Sequence, residues 1–147
     1  MLLTTILLLF LTQKTFADTK TAKSYCVMNS VTGEIVAEKN SVTKLPMAST
    51  TKIMTALIAL ENLDANEEIE IDKRAVGIEG SSIYLKEGEK MKAIDLVYAL
   101  ILQSANDAAE ALAYRISGSI ENFAKLMNEK SASLGLIAAA SALVVGV

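Results

Sequence analysis

Downstream of Pro46, apolar residues fall at positions 53, 56, 57 and 60, the spacing of one helical face. Met54, Ile58 and Ala59 fill most of the opposite side. Pro46 and the cluster Ser49-Thr50-Thr51 form a start signal, so a helix is predicted from about residue 49. A helix apolar nearly all round belongs inside a domain, packed on every side. Upstream, residues 25–29 and 34–38 read as two strands joined by Ser30-Val31-Thr32-Gly33, a β-hairpin, with Cys26 a buried thiol in the first. Downstream, residues 69–71 alternate like a short strand, 77–82 form a Gly/Ser-rich loop, and 86–89 form a turn. Residues 93–102 read as a helix with Ile94, Val97, Leu100 and Ile101 on one face. Asn106-Asp107 is a capping signal for a helix over 108–116. Gly118 stops that helix, and Ser119 caps a last one carrying Phe123, Leu126 and Met127, ended by Gly135. The fold class is therefore α/β (α+β), an N-terminal hairpin followed by a mostly helical remainder.

The two ends differ from this middle. Residues 2–11 form an apolar run too short to span a bilayer, and Thr15-Phe16-Ala17 offers a small residue for cleavage, so 1–17 read as a secretory signal peptide. That segment has no Lys or Arg before its apolar run, a departure from the usual leader, and an ordinary buried helix is the alternative. Residues 137–147 carry no charge and no turn signal and form an apolar tail.

Composition then narrows the chemistry. A net charge of −3 and a pI near 5.0 argue against nucleic acid or an anionic membrane surface as partner. With no histidine and a single cysteine, a Ser-His-Asp triad is impossible and no metal or other cofactor is expected. Lysine is left as the base for any serine nucleophile. Lys52 lies in the first turn of the central helix, where the macrodipole disfavours a cation, and burial would add a desolvation cost. Both effects lower a lysine pKa toward that of a useful base. Ser49 precedes it by three residues on the same predicted face, so its hydroxyl is expected within hydrogen-bond reach of the amine, as an activated nucleophile. With 12 serines and 12 lysines, about one Ser-x-x-Lys pair arises by chance. Ser41-Val42-Thr43-Lys44 is such a copy, running into Leu45-Pro46, where helix is disfavoured.

The segment from Leu45 to Ala56, with Ser49-Thr50-Thr51-Lys52 at its centre, resembles the active-serine signature of the serine-type D-alanyl-D-alanine carboxypeptidases, the low-molecular-mass penicillin-binding proteins. Gly80-Ser81-Ser82-Ile83-Tyr84-Leu85-Lys86-Glu87-Gly88-Glu89 resembles the loop before their second motif, and Ser104-Ala105-Asn106-Asp107-Ala108-Ala109 the second motif itself, Ser-x-Asn. Leu126-Met127-Asn128 and Leu134-Gly135 continue the likeness, which covers roughly residues 24–136. The resemblance implies the penicillin-binding/β-lactamase-like fold, with residues 18–136 a partial catalytic domain. It implies Ser49 as acyl-ester nucleophile, Lys52 as general base, Ser104 as proton relay and Asn106 as a substrate-binding group. Read by themselves, Ser104 and Asn106 are more often a helix-capping loop, since both residues favour caps. The implied partner is a peptidoglycan stem peptide ending in D-Ala-D-Ala, with β-lactams as substrate mimics. No Lys-Thr-Gly third motif occurs in the 147 residues, and the likeness stops at Leu136. A truncated or frame-shifted copy, inactive by itself, is the expectation.

Alternatives from other classes are a noncatalytic remnant, a peptide- or β-lactam-binding fragment, and a class A β-lactamase-like hydrolase. The last needs a Glu-x-x-x-Asn loop that is not convincingly placed here. An exported, extracytoplasmic protein is expected, and N-terminal sequencing of secreted material should begin at or near Asp18; an intact Met1 on a cytoplasmic product would overturn that expectation.

Overall fold

The computed structural model describes residues 21–135, which fall into two units divided between Thr43 and Lys44. The leader expected over 1–17 and the tail expected over 137–147 lie outside the described residues.

The first unit holds a hairpin of β1 (Tyr25–Met28) and β2 (Ile35–Lys39), antiparallel with a register shift between Val27 and Met28. Gly33 adopts φ +74°, and the Asn29 side chain accepts from the Val31 and Thr32 amides, which closes the turn. Cys26 is exposed, contrary to the buried thiol expected from its apolar neighbours. A two-stranded ribbon has no interior of its own, so residues on both faces, Val27, Ile35 and Val36 among them, stay open.

The second unit contains the hydrophobic core. A 3₁₀ turn over Ala48–Thr50 leads into α1 (Thr51–Asn62). Then come β3 (Glu68–Glu70), a 3₁₀ turn over Lys73–Ala75, β4 (Lys90–Lys92), α2 (Ala93–Leu102), α3 (Asn106–Ser117) and α4 (Ile120–Ser133). β3 and β4 pair antiparallel, placing Glu68 opposite Lys92 and Glu70 opposite Lys90 around the Ile69–Met91 pair. Such opposite-charge pairs support a ribbon this short. The turn at Gly88 was legible in the sequence, whereas β4 and the Lys73–Ala75 turn were not.

The helical expectations hold in position and differ in phase. In α1 the buried positions are Thr51, Lys52, Thr55, Ala56, Ile58 and Ala59, while Ile53 is 66% and Leu60 54% exposed. The 53/57/60 stripe is thus the outer side, and α1 is not covered all round. Small residues explain the inversion. α3 presents Ala108, Ala109, Ala111 and Ala113 to the core, and the separation of packed helices follows the side chains at the contact. Alanines and threonines facing one another admit close approach that isoleucine would block.

In α2, Leu96, Val97 and Leu100 are buried and Ile101 is half exposed. α3 starts at Asn106, two residues earlier than the pattern indicated, with Ala105 at its N-cap and no side-chain cap. Gly118 ends it in the left-handed conformation at φ +76°. Ser119 caps α4 by accepting from the Asn122 amide, and Phe123 and Met127 are buried as the spacing indicates. Phe123 is fully buried at the centre of this cluster. Phe123→Ala should cost about 3–5 kcal/mol of stability, measured by urea denaturation.

Candidate active site

Residues of α1, of the α2–α3 junction and of α3 meet around one amine. Lys52 is the second residue of α1, near its positive end, and is 3% exposed. Its Nζ bonds to Ser104 Oγ at 2.9 Å, to Asn106 Oδ1 at 2.6 Å, and to the carbonyl oxygen of Ser104. Desolvation pulls the Lys52 pKa below its ordinary 10.5, opposed in part by the negative field of Asp107.

Backbone geometry aims these acceptors. Ser104 sits between α2 and α3 at φ +53°, a left-handed conformation that a serine holds only when its surroundings demand it. That conformation turns both its carbonyl and its hydroxyl to the same amine. Asn106 begins α3, and its amide is oriented from both sides: Nδ2 donates to the Glu79 carbonyl at 2.6 Å, leaving Oδ1 for Lys52. Its backbone N–H donates to the Ser81 carbonyl at 2.7 Å. Neither Ser104 nor Asn106 caps the helix, so the capping alternative is replaced by a shared contact with Lys52.

Ser49 occupies the 3₁₀ turn before α1 and is exposed, next to Ala48 at φ +47°. The expected Ser49–Lys52 hydrogen bond is not among those made by the described residues; the amine turns to the α2–α3 junction instead. Ser41, in the decoy copy, donates to Glu38 and lies outside any helix.

Sequence reasoning did not find the role of the loop over 79–85. Asp107, 1% exposed, gathers this loop onto α3. Its carboxylate accepts from Ser82 Oγ at 2.6 Å, from the Leu85 amide at 3.0 Å, from the Ile83 amide at 3.2 Å and from the Ala108 amide at 2.9 Å. Burial alone would raise its pKa; these four donors outweigh it and hold the carboxyl below its usual range. The available signal was an acid within an alanine-rich run. Among the described residues, no cluster of His, Cys, Asp and Glu could hold a metal, and no helix is long and apolar enough to cross a membrane.

A lysine at the start of a helix is thus buried three residues after an exposed serine and bonded to both polar residues of Ser104-Ala105-Asn106. The family model described as D-alanyl-D-alanine carboxypeptidase matches residues 11–146, and the chain belongs to that family. It is 39% identical over 120 residues to the D-alanyl-D-alanine carboxypeptidase DacF of Bacillus subtilis, covering 78% of this chain and 31% of the relative. It is 37% identical over 126 residues to DacC of Escherichia coli, covering 78% and 32%. Among solved structures, the carboxypeptidase DacD from Francisella tularensis superposes with a TM-score of 0.80 at 36% identity, over 86% of this chain and 32% of that one. Penicillin binding protein 5 from Haemophilus influenzae gives 0.77 at 28%, over 86% and 39%. The chain thus has the penicillin-binding-protein type of mixed α/β fold, and spans about a third of the length of the relatives it matches.

Two outcomes follow from the geometry. A Cβ at Gly80 would stand 2.7 Å from Asn106 Nδ2, at a backbone φ of +89° that other residues resist. Gly80→Ala should therefore cost about 1 kcal/mol or more and turn the Asn106 amide away from Lys52, seen as a shift of its side-chain NH₂ resonances. The depressed Lys52 pKa also has a sign. Between that pKa and the ordinary 10.5, the unfolded chain binds more protons than the folded one, so stability on this account rises with pH through that alkaline window. Denaturation at stepped pH should show this component in the native sequence and lose it in Lys52→Met.

Proposed function

We propose that these residues form the acylating part of a serine-type D-Ala-D-Ala carboxypeptidase, with Ser49 as nucleophile, Lys52 as general base, Ser104 as proton relay and Asn106 as a substrate-binding group. The substrate is a peptidoglycan stem peptide ending in D-Ala-D-Ala, β-lactams act as its mimics, and the setting is extracytoplasmic. The observation that carries the reading is the convergence of Ser104 and Asn106 on a buried amine three residues after Ser49.

Nζ donates to the Ser104 carbonyl, to Asn106 Oδ1 and to Ser104 Oγ. Once neutral, the amine keeps two N–H groups for the carbonyl and Oδ1, which can only accept, and turns a lone pair to a hydroxyl proton. In the reaction, Ser49 Oγ bonds to the carbonyl carbon of the penultimate D-alanine and its proton passes to Lys52. The tetrahedral adduct collapses, the C–N bond to the terminal D-alanine breaks, and the leaving nitrogen takes a proton through Ser104. Water then cleaves the Ser49 ester, returning the enzyme and the shortened peptide. The Ser49 backbone N–H, in the 3₁₀ turn before α1, is one donor for the oxyanion. General-base assistance of this kind contributes roughly 10²–10⁴ in rate.

The test is mass spectrometry after incubation with a fluorescent penicillin, followed by peptide mapping. The 147 residues alone are expected to acquire little or no adduct; what label does form should map to Ser49, vanish in Ser49→Ala, persist in Ser41→Ala, and form at least about 10²-fold more slowly in Lys52→Met. Labelling that survives Ser49→Ala would overturn the assignment.

A further inference from the structure

We propose that Asp107 is a positioning residue for this centre: by pinning the loop over 79–85 to the start of α3, it holds the Asn106 amide toward Lys52 and keeps a compensating charge beside the amine. The proposal rests on the reading of Lys52 as the base, while its test does not require turnover.

The contacts form a closed circuit. Asp107 Oδ2 takes the Ser82 hydroxyl and the Leu85 amide, and Oδ1 takes the Ile83 amide. Ser82 Oγ in turn accepts from the Tyr84 amide at 3.0 Å, in a turn where Tyr84 stands at φ +61°. Three consecutive amides and one hydroxyl of the loop are thus committed directly or indirectly to one carboxylate. The other end of the same loop supplies the Glu79 and Ser81 carbonyls that receive the Asn106 Nδ2 and backbone N–H groups. Between them, Gly80 lies so close to Asn106 that no Cβ fits. Asn106 and Asp107 are neighbours in the chain, so the loop is gripped by both, and Oδ1 of Asn106 is left with Lys52 as its partner.

Charge adds a second element. Asp107 makes no ion pair with Lys52 within 4.0 Å among the described residues, yet it is the charged group whose field reaches the buried amine. A carboxylate that is itself stabilised by four hydrogen bonds stays ionised and supplies a constant negative potential. Without it, nothing charged opposes the desolvation of Lys52, and the amine would lose its proton more readily.

Asp107→Asn preserves shape, removes the charge, and turns one acceptor into a donor facing the Leu85 amide. In the full chain with ¹³C-labelled lysine, the Lys52 Cε titration midpoint should move to lower pH in this variant, and the Ile83 and Leu85 amides should exchange faster with solvent. Ser82→Ala leaves the charge in place, so it should speed exchange of the same amides while the Lys52 midpoint stays at its native value. An unchanged Lys52 midpoint in a folded Asp107→Asn protein would overturn the proposal. If that variant does not fold, unchanged exchange at Ile83 and Leu85 in Ser82→Ala overturns it instead. Penicillin labelling that survives Ser49→Ala, together with a displaced Lys52 midpoint in Asp107→Asn, would refute the functional reading and still support the positioning role.

Discussion

A single buried amine sets the terms for the second unit. An ammonium or amine at 3% exposure is tolerable only with its hydrogen-bonding capacity met, and here the acceptors come from residues more than fifty positions away. Meeting that demand forces Ser104 into a left-handed conformation, fixes the amide orientation of Asn106, and brings the loop over 79–85 against the start of α3. The alanine-lined contact between α1 and α3 then follows as a steric requirement, because the lysine stem must reach across the helix interface to its acceptors. Left-handed Ala48 and Ser104 each cost on the order of 1–2 kcal/mol, and such strain persists only where neighbouring contacts over-determine it.

The outer side of the same unit has the opposite character. Ile53 and Leu60 of α1 and Tyr98, Ile101 and Leu102 of α2 are exposed apolar residues. Their exposure and the burial of Lys52 have one origin. Helix α1 is turned so that Thr51, Lys52, Thr55, Ala56, Ile58 and Ala59 are buried, and Ile53 and Leu60 are left exposed. A buried polar centre and an apolar exterior are two aspects of one helix rotation.

That rotation marks the limit of what the sequence shows. Helix positions, the caps at Ser119 and Gly118 and the hairpin turn at Gly33 were legible because each depends on local pattern, whereas the grouping of Lys52 with Ser104 and Asn106 was implied by the family resemblance alone. The facing of α1 was not legible, because hydrophobicity ranks Ile53 above Thr55 and takes no account of how closely two helices can approach. Cys26 was misjudged for a related reason: an apolar strand is buried only when a second layer exists for it. The partners of Asp107 were invisible because backbone amides carry no residue identity, and three of its four donors are amides.

The separation between Lys52 and Ser104 along the chain has a kinetic meaning. Their contact closes a loop that contains β3, β4 and α2, so it carries the entropic cost of a long-range contact in folding. Before that closure Lys52 is an ordinary solvated lysine and Ser49 an ordinary hydroxyl. If Ser49 is the nucleophile proposed above, its reactivity arrives with tertiary completion, and labelling by a β-lactam would report folding as well as function.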